Sequence, residues 1–181
     1  MGELQCGKVT FGGANSVDNY FAGKDDAVDW LLWDEEVGSI SAAYLKTVDT
    51  IVMGRRTYEA ALRMGTTSYP GAKNYVFSRT LKESPDNKVE IISTDAVEFV
   101  RQLKNQEGKG ICVLGGGLLA NSLFEANLID ELGLNIHPVL LGSGIPLFHE
   151  MSHQIDLELL ECRPLKNGCV FISYRVRNGS V

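Results

Sequence analysis

A four-residue apolar run followed by three consecutive glycines constrains this chain more than any other stretch. Ile111, Cys112, Val113 and Leu114 read as a strand buried on both faces. Gly115, Gly116 and Gly117 follow, and Leu118, Leu119, Leu123, Phe124, Leu128 and Ile129 then recur at helical spacing. Strand, tight turn and helix in that order are the repeating unit of an α/β sheet. A glycine turn lets a ligand approach the backbone without meeting a Cβ, and the helix start offers N–H groups that suit a phosphate. Packing alone is the competing account. Gly-Gly-Gly is not Gly-x-Gly-x-x-Gly, and no Gly-Lys-Ser/Thr follows it.

The unit recurs. Thr50–Met53 reads as a second buried strand, Gly54-Arg55-Arg56-Thr57 comes straight after it, and Tyr58–Arg63 continues as helix. Backbone donors, a hydroxyl and guanidinium groups at one point match a pyrophosphate; the alternative is two solvated arginines. Asn74–Phe77 is a third strand, ending in Ser78-Arg79-Thr80, a hydroxyl and a guanidinium that fit the 2′-phosphate of NADP. Val89–Ile92 is a fourth, and Asp95 is placed to cap a helix over Ala96–Asn105. A largely parallel sheet gathers such strand ends at its carboxyl edge, where ligands bind.

The remaining segments frame these units. Lys8–Gly12 reads as a first strand and Gly13–Gly23 as the loop leaving it, with Asp18 the first carboxylate of functional interest; a turn residue bonding its own backbone is the plainer account of it. Trp30 and Trp33 would share a face if helical, as pocket or as core. Asp34, Glu35 and Glu36 open a helix reaching about Thr47. Glu131–Leu141 reads as strand, with His137 structural, and a Gly-Pro loop spans 141–148. Leu157–Cys162 and Cys169–Val176, joined through Asn167-Gly168, read as an antiparallel hairpin.

Length and composition bound the rest. A chain of 181 residues is expected to be one domain, 1–181. A net charge of -6 without a basic run excludes nucleic acid as the main partner. Cys6, Cys112, Cys162 and Cys169 form no Cys-x-x-Cys pair and His137, His149 and His153 show no zinc spacing, so no metal is expected and the thiols fit a reducing compartment. No signal pattern or bilayer-length apolar stretch stands out, so a cytoplasmic protein without a membrane partner is expected.

Several stretches together resemble the dihydrofolate reductase-like superfamily, and within it the reductase domain of the bifunctional riboflavin-biosynthesis deaminase/reductase. They are Ser-Val-Asp-Asn-Tyr-Phe-Ala-Gly (16–23), Ile-Val-Met-Gly-Arg-Arg-Thr-Tyr-Glu (51–59), Val-Phe-Ser-Arg-Thr (76–80), Val-Leu-Gly-Gly-Gly (113–117) and His-Pro-Val-Leu-Leu-Gly-Ser-Gly-Ile-Pro-Leu-Phe (137–148). The resemblance implies a three-layer α/β fold, with a mixed, mostly parallel sheet of about eight strands, flanking helices and a C-terminal antiparallel hairpin. It implies NADP(H) as cofactor and hydride transfer to a C=N or C=O of a small-molecule substrate, 5-amino-6-(5-phosphoribosylamino)uracil being the best-matched one. Gly54, Arg55, Arg56 and Thr57 would meet the cofactor phosphates, and Ser78 and Arg79 the 2′-phosphate. Gly115, Gly116 and Gly117, with Leu118 and Leu119, would lie by the pyrophosphate and nicotinamide, with a cis peptide between Gly115 and Gly116. Asp18 would orient substrate or assist proton delivery, and a homodimer is implied. Asn19 stands where the family motif has Gly, and none of Asp34, Glu35 and Glu36 aligns with the pterin-binding acid of dihydrofolate reductases. The deaminase half's zinc motif is missing. Dihydrofolate reduction, or NADP binding without catalysis, are the alternatives.

Overall fold

The computed structural model describes residues 7–115 and 117–177. The first strand, β1 (Lys8–Ser16), pairs in parallel with β6 (Gly110–Leu114) on one side and β7 (Glu131–His137) on the other. β3 (Thr50–Gly54), β4 (Lys73–Phe77) and β5 (Val89–Ile92) extend the parallel sheet beyond β6. β10 (Val170–Arg177) runs antiparallel to β7 and carries β9 (Asp156–Pro164) on its outer side. The full order is β5-β4-β3-β6-β1-β7-β10-β9, eight strands, mostly parallel, with an antiparallel C-terminal hairpin as expected. A separate small ribbon joins β2 (Tyr20–Ala22) to β8 (Ile145–Pro146).

The strands are apolar on both sides because helices cover both faces. Val52, Ile111 and Val113 point to one face, under α3 (Ala96–Lys104) and α4 (Gly117–Glu125). Ile51, Met53 and Cys112, offset by one residue, point to the other, under α1 (Glu35–Leu45) and α2 (Arg55–Arg63). Cys112 is fully buried, the core residue expected. Burial pushes its thiol up to about 11, and it remains a thiol at neutral pH. Asp34 caps α1 by accepting the Val37 N–H, and Asp95 caps α3 by accepting that of Glu98.

The structure departs from the sequence reading in several segments, and the loop expected over Gly13–Gly23 contains the end of β1 and all of β2. β1 continues to Ser16, because β7 supplies a partner for every residue from Thr10 to Ser16. The strand expected over Glu131–Leu141 ends at His137, before Pro138. Residues 27–34 contain no helix: the Trp30 N–H bonds the Ala27 carbonyl, and the segment is held by His137 instead of by helical periodicity. Among the described residues no helix is long and apolar enough to cross a membrane.

Candidate functional site

Because β4, β3, β6, β1 and β7 are parallel neighbours, their carboxyl ends lie side by side. The three glycine- or hydroxyl-bearing junctions fall on the β4-β3-β6 half, and the loops after β1 and β7 form the other half.

At the β3–α2 junction Gly54 occupies the N-cap position, and no side chain caps the helix. No atom lies within 4 Å of where a Cβ on Gly54 would stand. An uncapped helix start beneath open space is electrostatically suited to an anion. Arg55 donates to the Thr80 hydroxyl at 2.6 Å and pairs with Glu59 at 2.9 Å, so it ties the ends of β3 and β4 together. Arg56 pairs instead with Asp26, at 2.7 Å. Ser78 is buried and its Oγ accepts the N–H groups of Thr80 and Leu81, which leaves its own proton to donate. Arg79 is exposed and has no hydrogen-bond or ion-pair partner among the described residues.

The glycine turn is crowded by the protein itself. Gly115 has φ +54, and a Cβ there would stand 2.6 Å from the Phe21 ring and 2.8 Å from Thr57 Oγ1. A Cβ on Gly117 would stand 2.8 Å from the His149 ring and 3.1 Å from the Pro146 carbonyl. Packing thus accounts for glycine at 115 and 117, whereas open space surrounds Gly54. Thr57 and Gly115 meet, as do Arg55 and Thr80, so all three junctions are contiguous. The expected cis bond between Gly115 and Gly116 lies outside the described residues. Leu118 is exposed at the start of α4. Leu119, the next residue, turns its side chain into the core between α4 and the sheet.

Asp18 sits in the other half. It accepts from Ser16 Oγ at 2.6 Å and from the backbone N–H groups of Leu141 and Gly142 at 3.1 and 2.8 Å. These bonds, the Ser16 hydroxyl foremost, hold its carboxyl below the usual range. The group is ionised at neutral pH and fastens the loop after β1 to the loop after β7. Asn19 takes φ +61, the left-handed conformation that the motif's glycine would adopt. Neither Asp34 nor Glu36 stands free for a pterin: Asp34 caps α1 and Glu36 accepts the Lys166 N–H.

Residues 7–171 match the profile of the RibD C-terminal domain family. The chain belongs to the RibD C-terminal domain family. The uncharacterized protein YyaP from Bacillus subtilis (strain 168) is 34% identical over 173 residues, covering 89% of this chain and 90% of YyaP. The structure superposes on a Shewanella sp. PV-4 protein assigned to riboflavin biosynthesis with a TM-score of 0.81, at 26% identity over 94% of this chain and 99% of that one. It superposes on Enterococcus faecalis dihydrofolate reductase, solved with NADP(H) and RAB-propyl, with a TM-score of 0.68 at 20% identity, over 96% and 98% of the two chains. That likeness establishes the dihydrofolate reductase-like fold of this RibD C-terminal domain.

The structure adds residues that sequence reasoning passed over. Phe21 lies across Gly13 and Gly115 and His149 covers Gly117. His137, read from the sequence as structural, is so: its Nδ1 accepts the Leu32 N–H at 3.1 Å, while Trp30 meets the ring edge-on at 5.2 Å. Burial lowers the His137 pKa, so the ring is neutral at pH 7. Tyr20-Phe21, two aromatics among small turn residues, was the available signal for the β2 ribbon.

Proposed function

We propose that this RibD C-terminal domain is an NADPH-dependent reductase, delivering hydride to a C=N or C=O carbon of a small heterocyclic substrate. One observation carries the reading: an uncapped helix start under open space at Gly54, with Thr57, Ser78 and Arg79 around it, joined to the glycine turn by the Thr57–Gly115 contact. The donors fit a dinucleotide with an additional phosphate. Gly54, the first turn of α2 and Thr57 would take pyrophosphate oxygens, with Arg55 and Arg56 supplying positive charge behind them. Ser78 and Arg79 would take the 2′-phosphate, and Gly115, Gly116, Gly117 and Leu118, with the backbone of Leu119, would border the pyrophosphate and nicotinamide. The cofactor, when bound, supplies the hydride.

The chain's own part is positioning. Asp18 fixes the wall formed by residues 139–142. As an ionised group bonded three times over, it orients and does not donate a proton. Dihydrofolate is the less suitable acceptor, since none of Asp34, Glu35 and Glu36 aligns with the pterin-binding acid and two of them, Asp34 and Glu36, are committed to backbone N–H groups. The reading takes residues 1–181 as one cytoplasmic reductase domain. It also takes the protein as a homodimer, in which a second copy would cover the exposed Leu157, Leu159 and Leu160 of the outermost strand β9.

Calorimetric titration with NADPH and NADH tests the cofactor site. Preference for NADPH that disappears in Arg79→Ala supports the reading; binding of neither nucleotide overturns it. NADPH oxidation against a panel of acceptors then separates a reductase from a binder without catalysis.

A further inference from the structure

The two halves of the carboxyl edge have opposite electrostatic character. Arg55, Arg56 and Arg79 belong to the β3 and β4 junctions, and Arg63 ends α2. Residues 9–23, 25–45 and 138–162, which build the half around β1 and β7, contain no Lys or Arg. The stretch 17–36 holds seven carboxylates against the single Lys24; Asp26 pairs with Arg56 and Arg63 of α2, and the other six have no Lys or Arg side-chain partner among the described residues. Two cations border this half on the hairpin: Arg163 pairs with Glu161 at 3.3 Å, and Lys166 stands next to Glu36, which binds its backbone N–H.

The same half is apolar where it meets solvent. Val17 is 55% and Leu140 72% exposed, and the Val17 N–H bonds the Val139 carbonyl, so these side chains flank the two loop tips. Trp33 is 70% exposed on the segment that His137 anchors to the end of β7 through Leu32. Beneath the loops lies an unsatisfied acceptor. Asn15 is 1% exposed, and its Nδ2 donates to the Ser16 carbonyl and to Asn19 Oδ1, which fixes the amide orientation; its Oδ1 has no partner. It lies on the face of β1 that carries Gly13 and Phe21, one pleat nearer the edge. A buried acceptor without a donor is costly, and a ligand N–H would satisfy it.

We infer that the acceptor bound at the β1/β7 half is a flat, N–H-bearing heterocycle that is neutral or cationic, and that this half rejects phosphate esters. The inference rests on the reductase reading of the edge and narrows it. A ribosylamino-pyrimidine phosphate would bring a dianion to a surface that offers apolar contact and carboxylates. The phosphate-binding chemistry belongs wholly to the cofactor half.

The test uses riboflavin and its 5′-phosphate as probes, a flat heterocycle with a ring N–H and the same molecule with a phosphate ester. Flavin fluorescence is titrated with full-length protein saturated with NADP+, and with Arg79→Ala without nucleotide. At low salt riboflavin should bind at least tenfold more tightly than its phosphate, with the gap narrowing as salt screens the carboxylates. Asp29→Lys, a change at an exposed position, should shrink the gap by raising affinity for the phosphate. Equal or tighter binding of the phosphate, or no riboflavin binding up to its solubility limit, overturns the inference. Failure of the cofactor site shows separately, as absent NADP+ binding in calorimetry.

Discussion

Gly115→Ala measures how firmly the organising turn is held. The backbone there has φ +54, where an L side chain costs roughly 1–2 kcal/mol. The new methyl would stand 2.6 Å from the Phe21 ring and 2.8 Å from Thr57 Oγ1. Both are side-chain atoms able to yield, so the steric part is set at about 1–3 kcal/mol, as for other overpacked sites. Together these predict a loss of about 2–5 kcal/mol, or a fall in Tm of roughly 5–15 °C for a chain of this size. Urea unfolding of Gly115→Ala, Phe21→Ala and the double variant isolates the contact. Removing the ring relieves the steric part and leaves the backbone part, so the pair should couple by about 1 kcal/mol or more. Additive losses would show that Phe21 does not rest on Gly115, and would refute the placement of the β2 ribbon over the turn.

Gly54→Ala is the counterpart: its φ is -80 and nothing stands within 4 Å, so stability should change by no more than about 0.5 kcal/mol while NADPH affinity falls in calorimetry. In Asp18→Asn, turnover should drop with NADPH affinity nearly unchanged; equal loss of both would contradict a role on the acceptor side. The Asp18 carboxyl is held below its usual value of 3.8, so its stabilising contribution is present above that pH and lost as pH falls further. Asp18→Asn should therefore flatten the acid limb of a stability profile. His137→Phe leaves the Leu32 N–H without an acceptor and should cost about 1–3 kcal/mol in urea unfolding, with a shift in Trp30 emission. Wild-type stability should also decline as pH falls below about 6.5, because the unfolded chain then binds the proton that the buried His137 resists. Leu159→Lys should yield a monomer by light scattering without lowering intrinsic Tm; an unchanged mass would place any dimer contact elsewhere.

The parallel half of the sheet was legible because each strand–turn–helix junction declares itself locally. Ile111–Leu114 and Thr50–Met53 are continuous apolar runs, and the helices after them begin at glycine-marked turns. Asp34, Asp95 and the Asn167-Gly168 turn, with Gly168 at φ +88, likewise act on near neighbours. The failures are long-range. The sequence leaves the conformation of Trp30–Trp33 open, because the acceptor that fixes Leu32 lies 105 residues away on His137. β2 finds its partner in the two residues Ile145–Pro146, too short a strand to show any alternation. Nothing local shows that Gly115 faces Phe21 or that Asp18 will meet Leu141 and Gly142.

The central position of β1 also sets the order in which the protein can be made. Its partners, β6 and β7, begin about a hundred residues downstream of it. β3, β4 and β5 pair within some forty residues of one another and can assemble early. During synthesis the first strand must wait, with Val9 and Phe11 uncovered, until Gly110–Leu114 leaves the ribosome. Because non-local pairings form slowly, β1 is expected to be the segment most dependent on chaperones, and β7, β10 and β9 are added only after it is in place. The acceptor half of the edge, which hangs from its carboxyl end, would then be the last part of the molecule to mature.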